Sequence, residues 1–146
     1  SVLLTCPKDS SKNITVELLR TKNDTKVVMK QDKPVIHLRL KAEGVISDAQ
    51  CDMDFTKPST ISLVEQLTEK QMKKSIVSAI NTVQQKYKSD IFGFGEDVER
   101  KSPEYWERVK KNWSQVFSGM EVNVKVEPKI RQMFKTSKSL SERMKE

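Results

Sequence analysis

The repeat distance of the apolar residues changes along this chain, and that change constrains the fold more than any other feature. In the first fifty residues apolar positions recur at every second residue. Ile14, Val16 and Leu18 alternate with Thr15 and Glu17, and Ile36, Leu38, Leu40, Ala42 and Ile46 share a parity opposite to His37, Arg39, Lys41 and Glu43. A period of two marks a strand with one buried face and one wet face. From Ser62 to about Lys88 the spacing lengthens. Met72, Ile76, Ala79, Ile80, Val83 and Tyr87 form one helical stripe, with no proline or glycine to stop it. The period of two returns at the end, where Met120, Val122, Val124, Val126, Ile130 and Phe134 lie on one face. Strands and helices segregated in this way predict an α+β fold. The expected architecture is a largely antiparallel sheet of about four strands in the order βββ, helices, β, with the helices packed on one face.

Local signals set expected boundaries. Asn23-Asp24 reads as a turn between two early strands, and Gln31-Asp32-Lys33-Pro34 as the break before the third. Ser62-Leu63-Val64-Glu65 fits a capping box, in which the serine and glutamate side chains satisfy backbone donors at a helix start. Leu63, Val64 and Leu67 fall roughly opposite the main stripe, at ~100° per residue. Either the helix start packs against something else, or the helix is interrupted near Glu69. A helical turn is expected after Gly95. A shorter helix begins at Ser102-Pro103-Glu104, carries Trp106, Val109, Trp113, Val116 and Phe117, and stops at Gly119. Pro128 has no amide donor and belongs at a sheet edge or a bulge. One α+β domain is expected over residues 1–135 and a frayed tail over 136–146.

Composition narrows the class. The 146 residues hold 27 Lys+Arg against 20 Asp+Glu, a net charge of +7. The cations are scattered among acids, densest at Lys110-Lys111 and along Lys125, Lys129, Arg131, Lys135 and Lys138. They read as a solvated face, with no nucleic acid expected as a partner. The alternative is a basic surface module binding anionic lipid or nucleic acid. No apolar run approaches the roughly 18 residues of a membrane span. Two cysteines are too few for a disulfide scaffold. Cys6 and Cys51 either pair or stay thiols, and ordinary thiols are the preferred expectation. Val2-Leu3-Leu4-Thr5-Cys6 only faintly resembles the end of a lipoprotein signal and lacks a basic leader, so no lipid site is expected at Cys6.

Reactive constellations are weak. Asp52-Met53-Asp54-Phe55-Thr56 has the D-x-D-x-T spacing of haloacid-dehalogenase-type nucleophiles, but polar residues precede it where a buried parallel strand is needed. It reads as a loop leading into the helix. Gly93-Phe94-Gly95 lacks the following Gly-Lys-Ser/Thr of a phosphate loop and reads as structural, with Phe92 and Phe94 as buried anchors. His37 is the single histidine and lies on the polar parity of its strand, with no nucleophile motif beside it. One histidine and two distant cysteines make poor zinc material. No catalytic residue, metal or cofactor is therefore expected, and Trp106 and Trp113 read as core.

The stretch Tyr87-Lys88-Ser89-Asp90-Ile91-Phe92-Gly93-Phe94-Gly95 is distinctive. With Trp106, Lys111-Asn112-Trp113, Phe117, Val122-Asn123-Val124-Lys125-Val126 and Lys129-Ile130-Arg131 after it, the chain closely resembles the C-terminal domain of Ger(x)C-type spore-germination lipoproteins. These are the C subunits of germinant receptors in spore-forming bacteria. The likeness is specific over residues 87–131 and looser over Lys41-Ala42-Glu43-Gly44 and the helix after it. It implies an α+β domain at the end of a larger lipoprotein, anchored at the outer face of the spore inner membrane by a lipid outside this chain. It also implies no catalytic activity and a partnership with the integral-membrane A and B subunits. Within that reading Asp90, Ile91, Phe92, Gly93, Phe94, Gly95, Trp106 and Trp113 are the candidate interaction residues.

Overall fold

The computed structural model describes residues 1–132; Phe134 and the expected tail over 136–146 lie outside the described residues. The elements run β1 (Val2–Cys6), β2 (Asp9–Lys30), β3 (Lys33–Ala49), α1 (Pro58–Thr82), a π-helical turn (Val83–Tyr87), α2 (Phe94–Lys101), α3 (Pro103–Val109), a 3-10 turn (Lys110–Asn112), α4 (Trp113–Ser118) and β4 (Glu121–Gln132). One sheet has the order β1-β2-β3-β4. β1 pairs antiparallel with β2, and a two-residue turn reverses the chain from β2 into β3. Residues 37–39 line a hollow with 123–125, and 41–43 line another with 127–129. Sequence numbers thus rise together along β3 and β4, so the helical crossover joins parallel neighbours. The expected α+β class and largely antiparallel sheet are both present.

Several boundaries differ from expectation, each for a physical reason. The two early strands are one long strand, β2, with no turn at Asn23-Asp24. Residues 19–24 are exposed on both parities, so the strand there buries neither face and tolerates turn-forming residues. The reversal falls at Gln31 and Asp32, both at positive φ (50° and 63°), the backbone that suits the twist of a tight hairpin. β1 carries a weak signal in sequence because only Leu4 and Cys6 of its five residues are buried.

The capping box does not form, because α1 already begins at Pro58, where proline suits the first turn. The Lys57 carbonyl accepts from the amides of Thr60 and Ile61 at 3.0 and 3.1 Å. The helix is not interrupted near Glu69. Its buried residues Val64, Thr68, Met72 and Ile80 sit at multiples of four. Each step of four overshoots a full turn by ~40°, so the buried side drifts by ~160° from Val64 to Ile80. The start of α1 does pack against something else. The last helix is broken rather than continuous, α3 and α4 being separated at Lys110–Asn112.

The chain forms two compact units that share these elements. Of the described residues, the first holds 1–22, 41–72 and 126–132, and the second 23–40 and 73–125. In the first, Ile14, Val16, Ile46 and Ile130 from the strands bury against Val64 and Phe55, with Ile61 and Leu67 at the margin. Cys6 and Cys51 are joined by a disulfide, Cα to Cα 5.9 Å, which corrects the expectation of free thiols. The pairing is local in space though 45 residues apart in sequence. It ties the end of β1 to the segment leaving β3. In the second unit, Val27 and Ile36 bury against Phe94, Val98, Tyr105 and Phe117. Within each unit the helices cover one face of the sheet.

Pro128 lies in the outermost strand, as its missing donor requires. The neighbouring outward donor, the Ile130 amide, is taken up by Glu65 Oε2 at 2.9 Å.

Candidate interaction surface

The eight candidate residues all lie in the second unit, and three of them, Phe94, Gly95 and Trp113, converge on the carboxylate of a fourth, Asp90. Asp90 follows the π-helical turn, which ends at Lys88 in the left-handed conformation (φ 51°). Asp90 Oδ1 accepts from the Phe94 amide at 3.0 Å. Its Oδ2 accepts from the Gly95 amide at 2.7 Å and from the Trp113 indole Nε1 at 2.9 Å. The two amides are the first donors of α2, which no residue within the helix can satisfy. A carboxylate there also meets the positive end of the helix dipole. One side chain thereby fixes where α2 starts and where the Trp113 ring stands.

Two glycines make the clasp possible. Gly93 precedes α2 at φ 76°, a conformation that side chains resist. Gly95 is needed for space: a Cβ there would lie 3.0 Å from both Trp106 Cη2 and Trp113 Nε1. The two indoles meet edge to face, centroids 5.2 Å apart. Trp106 and Trp113 are half-buried packing groups, in line with their reading as core. Ser102 caps α3 by accepting from the Tyr105 amide at 3.3 Å.

The phenylalanines divide. Phe94 is buried and contacts Phe117, whereas Phe92 stacks on Phe94 at 5.2 Å and remains 40% exposed. The expectation that both are buried anchors therefore holds only for Phe94. Ile91 is 70% exposed and Tyr87 64% exposed. The loop thus presents large apolar side chains to water on a backbone pinned by Asp90. Tyr87 falls on the helical stripe in sequence but is exposed at the end of the wider π turn, while Gln84 continues the buried every-fourth row of α1. Gln84 donates to the carbonyls of Phe117 and Met120, both at 2.9 Å. Its place four residues after Ile80 was the available signal, hidden by its polarity.

The other singled-out residues stand apart. Asp54 accepts from the Thr56 amide at 3.0 Å and the Thr56 hydroxyl at 2.5 Å, closing a local turn in the segment that precedes α1. Those bonds hold its carboxyl below the ordinary value of 3.8. Asp52 is exposed. His37 is half-buried on β3 in a hollow with Lys26, Arg39 and Lys125. Among the described residues, no three His, Cys, Asp or Glu side chains gather closely enough to hold a metal ion. Nor is any described helix long and apolar enough to cross a membrane.

Fold and surface together define an α+β sheet-and-helix domain with an apolar rim on a fixed loop. The chain matches the family described as spore germination B3/GerAC-like, C-terminal, over residues 1–133, and it belongs to that family. It is 32% identical over 119 residues to spore germination protein KC of Bacillus subtilis (strain 168), covering 80% of this chain and 29% of that protein. Spore germination protein B3 of the same organism is 27% identical over 124 residues, covering 84% of this chain and 33% of that one. The crystal structure of the GerBC protein superposes with a TM-score of 0.78 at 26% identity, over 88% of this chain and 39% of that one. The chain therefore spans about a third of the length of its relatives.

Proposed function

We propose that this chain is the C-terminal domain of a lipoprotein C subunit of a spore germinant receptor. It acts without catalysis, as an interaction module for the membrane A and B subunits in nutrient-triggered germination. The observation that carries the reading is the rim of Ile91 and Phe92, exposed on a loop whose run into α2 is tied down by Asp90, with Tyr87 exposed at the end of the π-helical turn before it. A fixed apolar protrusion loses little conformational entropy when a partner covers it, which makes it an economical anchor. Membership of a spore-germination family supplies the biological setting. On this reading the full-length protein lies at the outer face of the spore inner membrane, held by a lipid outside this chain.

Spores carrying Ile91→Ser in the full-length protein test it. Ile91 is the most exposed of the large apolar residues among the described ones, so its replacement spares the fold. Slower nutrient-triggered germination at an unchanged level of the protein is expected. Germination at the unaltered rate would remove the rim from function.

A further inference from the structure

β1 covers only the beginning of β2. Val2 lies opposite Val16, Leu3 opposite Thr15, Leu4 opposite Ile14 and Thr5 opposite Asn13, while β2 runs on to Lys30. β3 occupies the other side of β2. Among the described residues, the side of β2 that carries β1 therefore has no strand against it after Val16. Within the first unit this open edge comprises residues 17–22. An open edge offers a row of unpaired amides and carbonyls to any extended chain.

The opposite edge of the sheet is blunted by Pro128 and by Glu65 on the Ile130 amide. Residues 17–22 contain no proline, and Leu19 among them is 63% exposed. The antiparallel register also has a direction. It sets Ser1 opposite Glu17, so a residue ahead of Ser1 falls opposite Leu18 and the one before that opposite Leu19.

We infer that the polypeptide ahead of Ser1 in the full-length protein continues β1 and covers the edge of β2 over residues 17–22. This rests on the reading of the chain as the C-terminal part of a longer protein, since relatives about three times its length leave ample polypeptide for the role. The covering segment is extended, with alternate side chains on the face that carries Leu3 and Leu19. An apolar residue opposite Leu19 closes an apolar strip there, because directly opposed residues share a face.

Cross-linking in the full-length protein tests the register. Leu19→Cys is combined with a cysteine at the second residue ahead of Ser1, or, as a control, at the sixth. Cys6 and Cys51 are already joined and do not compete. Opposed residues lie within disulfide reach, whereas a shift of four residues adds roughly 13 Å. A cross-link within one molecule, at least about ten-fold stronger for the second-residue pair than for the control, is expected. Equal yields for the two pairs, or a cross-link only between two molecules, would overturn the inference, the latter assigning the edge to a second copy. The intact mass of the native protein separates this from the underlying reading. A mass near 16.8 kDa would sink both, and a larger mass without the cross-link would sink only the edge assignment.

Discussion

Asp90 shows how much one side chain can organise when its acceptors meet backbone donors that nothing else can satisfy. Charge-assisted bonds of this kind contribute about 1.5–3 kcal/mol where they are partly shielded. Asp90→Ala should therefore lower the unfolding free energy by about 3 kcal/mol, read from chemical denaturation. Gly95 makes the complementary test. In an ordinary helix interior glycine to alanine stabilises by up to ~1 kcal/mol. Here the new methyl would press on two indole rings 3.0 Å away, one of them held by Asp90, so Gly95→Ala should destabilise by about 1–2 kcal/mol. Tyr105 adds a pH dependence. Burial first, and then the Asp32 charge, raise its phenol above the ordinary value of 10.0, against the opposing pull of Arg108. A raised folded value means the contribution is full below pH 10 and is lost as pH climbs through that value. Alkaline melting curves should fall above pH 10 in the native protein and stay flatter in Tyr105→Phe.

At the scale of the element, the apolar period forecasts existence and type better than boundaries. Residues 41–47 of β3 alternate cleanly because one face is buried there, and that alternation is plain in the sequence, whereas Pro34, Val35 and Ile36 at its start are all buried. Residues 19–24 of β2 bury neither face, so nothing in their pattern distinguishes a strand interior from a turn. The stripe of α1 drifts because its buried row follows every fourth residue, and a fixed 3.6-residue template mistakes drift for interruption. The Cys6–Cys51 link belongs here too. Separation in sequence says nothing about the 5.9 Å between their Cα atoms, which depends on β1 and the exit of β3 arriving together. Closing a loop of 45 residues removes chain entropy from the unfolded state worth about 4 kcal/mol. The double variant Cys6→Ser/Cys51→Ser should lose stability of that order in denaturant melts. A loss below about 1 kcal/mol would mean that the link constrains little.

At the scale of the molecule, two small cores share three strands and one helix, and the candidate surface sits wholly on the second. The eight residues singled out from the sequence are near one another because Asp90 and the indoles draw them together. Their division into packing groups and exposed groups was not legible. Phe92 and Phe94 look alike in sequence, and only the geometry of the Gly93 turn sends one inward and leaves the other half in water. On the proposed reading the clasp maintains the fold while the rim meets the partner. Co-purification of the membrane A and B subunits with the full-length protein, measured beside its thermal midpoint, separates the two roles. With Ile91→Ser an unchanged midpoint and at least about ten-fold less recovered subunit are expected, the effect of losing roughly 1.4 kcal/mol of binding. Full recovery of both subunits with Ile91→Ser would show that the rim does not meet them.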